Sequence, residues 1–369
     1  MKIIHIISSL HIGGAQQALY KLVANLKYPK KDQMVISLTD NGIIGRKIES
    51  LGIDVKYLGL KRGTITIRKI VFLAKCIIKF KPKVVQTWMY HADLIGSVLS
   101  IFIKSHCLVW NIRQTDIDKR WMKKKSILIA KSCSIISYLS PKKIICGSEA
   151  SYKSHNLFGY NKKKMIVIPN GFEVDLFKPD PRIREKIRDD FMISQDTIVI
   201  GLAGRWHKVK DHKTFIESIK ILSKKYFNFK VLMCGDRIDN KNTVLVKLLK
   251  ENDLVDSFIL LEKLKKLHEF YPALDFSINC SISEGFPNVV GESMSCGVPC
   301  IVTDVGESPL IVKDTGFVVE TQNPKQLFLA MDKMIKLGAK GRMKMGKLAR
   351  DRIKNNYSMV KIIDKYEQL

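Results

Sequence analysis

Short apolar runs alternate with helix-length segments along almost the whole chain, and this alternation limits the possible fold more than any other feature. The first run, residues 2–8, reads Lys-Ile-Ile-His-Ile-Ile-Ser, as in a parallel strand covered on both faces. Similar runs recur at 33–39, 54–60, 84–88, 107–112, 143–147 and 165–169, with helix-like periodicity over 15–27, 68–80 and 92–103. The order predicts a doubly wound α/β sheet that binds its ligand at the carboxyl ends of the strands.

The chain is long enough for two such domains. It has 369 residues, of which 46% are hydrophobic, whereas one domain usually occupies about 100 to 200 residues. Proline-rich Phe177–Pro181 has no apolar period and predicts a linker. A second strand-loop-helix series starts near Asp196, with a strand at 197–203 and a glycine-led loop at 204–210.

Cysteine spacing and hydropathy point to a reduced, cytoplasmic setting. The eight cysteines show no paired C-x2-C spacing, and the N-terminus opens directly into a strand rather than a signal peptide. No apolar run reaches the roughly 18 residues needed to cross a bilayer. We therefore expect a protein that does not cross a membrane.

The formal net charge of +28 is unevenly placed, because residues 1–180 hold 31 basic and 11 acidic side chains. Such a field attracts nucleic acid or an anionic membrane surface. Zinc-finger, RNP-type and basic-zipper patterns are missing from the sequence, which disfavours nucleic acid. The basic segment Lys119–Lys125 precedes an apolar run, Ser126–Ala130. It is a candidate for a membrane surface, and equally for a packed helix with a solvated lysine face.

Two glutamates bracket a helix start in the stretch Glu284–Glu292. An apolar run at 275–280 leads into a loop with Gly285 and Pro287, and a helix-like segment opens near Asn288 and stops at Gly297. A helix start presents backbone N–H groups to an anion, and flanking carboxylates accept hydrogen bonds from hydroxyls. Phosphate together with a polyol suggests a nucleotide sugar.

This Glu-x7-Glu pattern, with Gly-Phe-Pro after the first glutamate and Cys-Gly-Val-Pro after the second, resembles the donor site of family-4 retaining glycosyltransferases, the group 1 enzymes of the GT-B fold. The resemblance implies two Rossmann-like domains that face each other across a cleft. It assigns the transferred sugar to Glu284 and the ribose hydroxyls to Glu292. The backbone between them is expected to bind sugar and diphosphate, through Gly285, Phe286, Pro287, Asn288 and Val289.

The same resemblance gives roles to two cations, and four positions in the first domain are further candidates, of which His91 is chosen because it follows a strand end. Arg205 and Lys210 match loop cations that meet the donor diphosphate, where fixed positive charge stabilises the leaving group. Gly13 and Gly14 follow the first strand and would approach the donor phosphates, although a tight turn without a ligand explains them equally well. His91 is either a residue of the cleft or a helix cap. Arg113 stands where many relatives carry a histidine, so a His-assisted mechanism is doubtful and an acceptor phosphate becomes a candidate ligand.

We therefore expect a first domain at 1–175 that binds the acceptor and a second at 176–357 that binds the nucleotide sugar, with helix 358–369 returning to the first. The expected reaction is a retaining transfer, without metal or cofactor, of a hexose or N-acetylhexosamine from a UDP-linked donor. The expected acceptor is a polyprenyl-diphosphate-linked glycan of surface polysaccharide assembly, such as O-antigen, at the cytoplasmic face of the membrane. The Asp-x-Asp at Asp116 and Asp118 is discounted as a metal site because no apolar strand flanks it.

Other readings stay open at this point. One keeps the fold with a soluble acceptor, and another keeps it for an epimerase or a phosphorylase, the latter needing a pyridoxal-phosphate lysine. A third is a basic nucleic-acid-binding protein without catalysis.

Overall fold

The computed structural model describes residues 1–60, 66–103, 107–115, 117, 122–264 and 266–369. They form two units, the first made of residues 1–171 and 360–369 and the second of residues 172–359. The division therefore lies at residue 171, whereas the sequence placed it at residue 175. Asp116, Asp118 and the first three residues of Lys119–Lys125 lie outside the described residues.

The first unit is built on a seven-stranded, entirely parallel sheet with the order β3-β2-β1-β4-β5-β6-β7. Its strands are β1 (Ile3–Ile7), β2 (Gln33–Ser37), β3 (Asp54–Tyr57), β4 (Val84–Trp88), β5 (Cys107–Ile112), β6 (Lys143–Cys146) and β7 (Met165–Val167). Its helices are α1 (Gly14–Asn25), α2 (Ile43–Glu49), α3 (Ile67–Phe80), α4 (Tyr90–Phe102), α5 (Lys124–Ile136) and α6 (Glu149–Leu157). The alternation predicted from the apolar runs is confirmed.

The second unit has a six-stranded parallel sheet with the order β10-β9-β8-β11-β12-β13. Its helices are α7 (Pro181–Asp190), α8 (His212–Ser223), α9 (Thr243–Glu251), α10 (Asn288–Ser295), α11 (Ser308–Val312), α12 (Pro324–Lys336) and α13 (Gly338–Tyr357). Its strands are β8 (Ile198–Ala203), β9 (Phe229–Cys234), β10 (Phe258–Leu261), β11 (Phe276–Asn279), β12 (Cys300–Thr303) and β13 (Gly316–Val319).

Helix α14 (Met359–Glu367) ends the chain, and from residue 360 onwards it belongs to the first unit. Ile362 is buried in one apolar cluster with Val109 and Ile145 of the first sheet and with Ile168, which follows β7. Lys27 at the end of α1 pairs with Asp364 at 2.8 Å. The last helix therefore completes one face of the first unit.

Helix α7 of the second unit begins at a side-chain cap. Asp180 accepts hydrogen bonds from the N–H groups of Arg182 and Ile183, and Pro181 occupies the first turn of α7, where its missing N–H costs nothing. Arg188 of α7 is fully buried and pairs with Asp275 at 2.9 Å. Asp275 also accepts the N–H of Val199 at 2.8 Å, so this one carboxylate fixes α7 against the starts of β8 and β11.

The segment Phe177–Pro181, predicted as a linker, lies inside the second unit. Phe177 is buried beside Tyr271, with ring centroids 6.2 Å apart, and its carbonyl accepts a hydrogen bond from Arg350 at 3.0 Å. The prediction relied on proline content and missing periodicity, but a single buried aromatic is enough to hold such a segment. None of the described helices is long and apolar enough to cross a bilayer.

Candidate donor site in the second unit

The strand order of the second sheet reverses between β8 and β11. From β8 the chain continues outward to β9 and β10, whereas β11 leads to β12 and β13 on the other side. β8 and β11 are paired in parallel, so their carboxyl ends meet at the same edge. Ligands of open α/β sheets bind at such a reversal, because the loops leave it in opposite directions and open a crevice.

The loops that follow these two strands are bonded to each other. The loop after β8 ends in a 3-10 turn, Lys208–Lys210, and the loop after β11 runs to the start of α10. The N–H of Ile282 donates to the carbonyl of Val209 at 2.8 Å, and the Cys280 thiol lies 3.2 Å from the Lys210 carbonyl. These contacts bring Lys210 and Glu284 together, and the Lys210 ammonium donates directly to the Glu284 carboxylate.

The Glu284 carboxylate is held by one of its two oxygens. Oε1 accepts from Lys210 Nζ and from Ser281 Oγ, the latter at 2.7 Å. Ser281 is itself fixed, because its carbonyl accepts from Thr303 Oγ1 at 2.6 Å. No hydrogen bond joins Oε2 to another part of the chain that the structure describes, and 14% of the side chain is exposed. Oε2 is therefore positioned to accept a hydrogen bond from a ligand hydroxyl.

Helix α10 begins at Asn288, immediately after this loop, with Pro287 at its N-cap position. Within the described chain no side chain caps this start, so the positive end of the helix dipole favours an anion there. Gly306 packs closely against this loop and leaves no room for a side chain, because a Cβ on it would lie 2.1 Å from the Glu284 carbonyl oxygen. Its φ of +53° also favours glycine. The N–H of Glu307 next to it donates to the Gly285 carbonyl at 3.1 Å.

Glu292 lies one turn further along α10 and is 8% exposed. Tyr271 donates its phenolic hydroxyl to Glu292 Oε2 at 3.3 Å. Burial, followed by the neighbouring Glu292 charge, raises the pKa of the Tyr271 hydroxyl well above its usual range, so the phenol stays a donor. The site therefore has one partly open carboxylate at Glu284 and one buried, hydrogen-bonded carboxylate at Glu292.

Two further sequence candidates lie around the loops of this unit. Arg205 is exposed and shares the loop after β8 with Lys210. The Phe286 ring packs against Phe172 at 5.9 Å and against Tyr357 at 6.0 Å between ring centroids. Its side chain is therefore used in packing, and its backbone is the part that was predicted to bind the donor. The structure thus brings Lys210 and Glu284 into contact and gives Phe286 a packing role.

The first-unit candidates lie at strand ends of their own sheet. Gly13 precedes α1 with an extended backbone and Gly14 opens the helix, while His91 is exposed in the first turn of α4. Arg113 follows β5 and is already engaged. It donates to the Ile168 carbonyl at 3.2 Å, to Asn170 Oδ1 at 3.1 Å and to the Tyr366 hydroxyl, and its guanidinium lies 5.4 Å from the Trp88 ring centroid.

Sequence reasoning missed several residues that orient these groups. Ser281 stands three residues before Glu284, and a hydroxyl so close to a candidate carboxylate was a signal that could have been used. The others come from distant parts of the chain, and nothing in their local sequence marks them: they are Thr303 and Tyr271 in the second unit, and Asn170 and Tyr366 in the first. Over the described ranges, no group of three or more His, Cys, Asp or Glu side chains is placed to hold a metal ion.

Comparison with known proteins shows what this architecture belongs to. Residues 183–352 match the family model of the glycosyl transferases group 1. The chain is similar to the capsular polysaccharide biosynthesis glycosyltransferase CapM of Staphylococcus aureus, with 23% identity over 97% of this chain and 95% of CapM. It is also similar to the UDP-Gal:alpha-D-GlcNAc-diphosphoundecaprenol alpha-1,3-galactosyltransferase of Escherichia coli, with 23% identity over 82% of this chain and 78% of that protein.

Among solved structures, the Anabaena protein HepE in complex with UDP superposes with a TM-score of 0.88 at 18% identity, covering 100% of this chain and 99% of that one. At this identity the likeness concerns the fold. The fold and the family match together define a glycosyltransferase with the GT-B fold. The match over residues 183–352 confirms the resemblance to the group 1 glycosyltransferases, whereas the roles given to Glu284 and Glu292 and the retaining mechanism stay predictions.

Proposed function

We propose that this glycosyltransferase moves a hexose or N-acetylhexosamine from a UDP-linked donor to a lipid-linked oligosaccharide, with retention of configuration and without a metal or cofactor. The observation that carries the proposal is the contact of Lys210 with Glu284 at the strand reversal, directly before the start of α10. A cation, a carboxylate and a helix start at one sheet edge suit the diphosphate and the hydroxyls of a nucleotide sugar.

Each group then has a defined part in the reaction. Lys210, with Arg205 on the same loop, stabilises the negative charge that the nucleoside diphosphate gains as the glycosidic bond breaks. The N–H groups at the start of α10 act on the same charge. Glu284 Oε2 accepts a hydrogen bond from a hydroxyl of the transferred sugar, and Glu292 accepts hydrogen bonds from the ribose hydroxyls. Because both carboxylates lie on the donor side of one loop and helix, we infer a front-face transfer in which the departing phosphate oxygen takes the acceptor proton, rather than a double displacement.

The finer parts of the proposal are supported by the relatives. The E. coli relative is named for UDP-Gal and for a GlcNAc-diphosphoundecaprenol acceptor, and neighbouring structures of HepE contain UDP or UDP-glucose. CapM is named for capsular polysaccharide biosynthesis. We assign the acceptor to the first unit, with Gly13, Gly14, His91 and Arg113 as candidate contacts. The enzyme is proposed to work peripherally at the cytoplasmic face of the membrane, where such acceptors are displayed.

The test is a screen of UDP, GDP and ADP sugars with the purified chain, measuring nucleoside diphosphate release with and without a polyprenyl-diphosphate acceptor. UDP release that depends on the acceptor is the expected result, and NMR of the product anomer tests retention. Glu284→Gln is expected to abolish transfer. The matched control Glu262→Gln removes an exposed carboxylate of the same unit and is expected to keep it.

Three outcomes would overturn the proposal. Full transfer by Glu284→Gln would remove the central role of this carboxylate. Inversion at the anomeric carbon would exclude the front-face mechanism. Salt-sensitive DNA binding without turnover of any nucleotide sugar would favour a nucleic-acid-binding protein instead.

A further inference from the structure

Helices α4 and α5 of the first unit expose large apolar side chains on their outward faces. On α4 these are Ile101 and Phe102, which are 63% and 80% exposed, and on α5 they are Leu128 and Ile135, which are 68% and 64% exposed. The two helices pack against each other, so the four side chains lie on neighbouring elements. Exposed apolar residues scattered singly need no explanation, but a set on two packed helices does.

The opposite sides of these helices already have their partners. Leu99 of α4 and Ala130 and Cys133 of α5 are buried in one apolar cluster with the sheet. Each helix therefore has two apolar faces, of which one forms the core and the other faces outward. None of the four exposed side chains belongs to that buried cluster.

Helix α3 lies on the same side of the sheet as α4 and α5. Leu73 and Ile77 belong to the same buried cluster as Leu99, whereas Val71, Phe72 and Ile78 point outward and are about half exposed. We define the outward faces of α3, α4 and α5 as the three-helix face.

The charge on the three-helix face has one sign. Exposed lysines accompany the apolar side chains, at Lys75 and Lys79 on α3 and at Lys124, Lys125 and Lys131 on α5. The only acidic residue in the three helices is Asp93, and it is fully buried, with Oδ1 accepting a hydrogen bond from Thr87 at 2.6 Å. No carboxylate of these helices therefore opposes the approach of an anionic surface.

From this combination we propose that the three-helix face is a docking surface for an anionic lipid bilayer. Apolar side chains would enter the acyl boundary while the neighbouring lysines reach the headgroups, which is the pattern of helices that lie in the membrane interface. A protein partner fits less well, because the cores of protein interfaces are depleted of lysine, and here exposed lysines accompany the apolar residues on α3 and α5. The inference deepens the proposed function and rests on it for its purpose, since a lipid-linked acceptor lies in such a bilayer.

The surface extends well beyond the basic segment that the sequence singled out. That segment, Lys119–Lys125, contributes its end to α5, but α3 and α4 were not considered as membrane contacts from the sequence. In the sequence, the apolar residues of α3 and α4 show only the periodicity of a helix, because a sequence does not show which of two apolar faces the sheet covers.

The experiment is flotation of the full-length protein with vesicles of phosphatidylcholine alone or mixed with phosphatidylglycerol. Binding is expected to require phosphatidylglycerol and to weaken as salt rises. Phe102→Ser and Leu128→Ser are each expected to lower the partition coefficient about tenfold, because each removes a large apolar side chain from the interface. Lys131→Glu is expected to lower it about fivefold or more.

Matched controls come from the second unit. Phe227→Ser removes an aromatic side chain that is 87% exposed, and Lys220→Glu reverses an exposed lysine. Both are expected to bind vesicles as the unchanged protein does. Thermal unfolding of every variant shows whether the fold is kept.

Five outcomes decide whether the three-helix face is a docking surface for a bilayer. Equal binding to neutral and anionic vesicles, or unchanged binding by both Phe102→Ser and Leu128→Ser, would overturn the proposal. Self-association that Phe102→Ser abolishes, without vesicle binding, would assign the face to a second copy of the chain and also overturn it. UDP release with donor alone or with a soluble acceptor is expected to be unchanged in the surface variants, which supports a role in docking only. Vesicle binding as expected in a protein that turns over no nucleotide sugar would refute the proposed function while supporting the docking surface.

Discussion

Replacing Lys210 by alanine tests the proposed donor site most directly. The Lys210 side chain is 22% exposed, and its ammonium is held against Glu284 before any ligand arrives. A cation already in place stabilises the leaving diphosphate without having to reorganise. Removing one such preorganised group typically costs about 3 to 4 kcal/mol of transition-state stabilisation, so we expect kcat to fall by about 10² to 10³.

Lys208→Ala is the matched control for this change. Lys208 lies in the same 3-10 turn, two residues before Lys210, and its side chain is exposed. Both substitutions remove one positive charge from the same loop, so any difference between them reflects position and not net charge. We expect Lys208→Ala to keep kcat within about threefold, since exposed and mobile charges contribute little.

Steady-state UDP release, with thermal unfolding in parallel, separates catalysis from folding. Within the part of the chain that the structure describes, Lys210→Ala leaves Glu284 with the Ser281 hydrogen bond alone, which we expect to cost about 1 to 2 kcal/mol of unfolding free energy and to lower Tm by a few degrees. The reasoning is refuted if Lys208→Ala and Lys210→Ala lose activity equally, or if the loss in Lys210→Ala tracks the fraction of unfolded protein.

Three other substitutions examine the surroundings of the site. Ser281→Ala removes the 2.7 Å hydrogen bond to Glu284 and should lower kcat about tenfold with little change in KM. Ser281→Thr keeps the hydroxyl and should retain most of the original kcat. A change in KM alone would contradict this role. Gly306→Ala should reduce both Tm and activity, because the new Cβ would clash with the Glu284 carbonyl oxygen and the backbone has a positive φ. We expect the free energy of unfolding to fall by about 2 kcal/mol or more. An unchanged Tm would exclude that clash. Burial lowers the pKa of His212 to about 4, so below its ordinary pKa the unfolded chain takes the proton first and stability falls as pH drops towards 4. The free energy of unfolding measured in urea should therefore fall less steeply for His212→Gln than for the unchanged protein between about pH 6.5 and 4. The same slope in both proteins would count against this account.

The sequence predicted the two sheets because a parallel strand covered on both faces leaves a distinctive apolar run. The β1 run Ile3–Ile7 is completely buried, as are Gln33–Ser37 and Phe276–Asn279. The meeting of Lys210 and Glu284 was also within reach, because both follow strands whose carboxyl ends lie at one edge once the sheet is parallel. Their catalytic roles, like those of Arg205 and Glu292, stay predictions.

Contacts between residues far apart in the chain were beyond sequence reasoning. Arg113 was a candidate for an acceptor phosphate because nothing near it in the sequence satisfies a guanidinium, yet it donates to the Tyr366 hydroxyl on the last helix and to Asn170 Oδ1. The hydrogen bond from the Tyr271 hydroxyl to Glu292 joins residues 21 positions apart and depends on how a 3-10 turn packs against helix α10. Such pairings are set by tertiary packing, which a single sequence does not encode in any local pattern.

Because residues 360–369 complete the first unit, its assembly has a fixed place in the order of synthesis. On the ribosome, strands β1 to β7 emerge first, but Ile362 and Tyr366 follow only after the whole second unit has been made. Until then Val109, Ile145 and Ile168 lack one apolar neighbour, and Arg113 lacks its tyrosine. A chain without residues 360–369 would carry a complete second unit and a first unit that lacks these contacts, so the first unit is completed only after the second has been made.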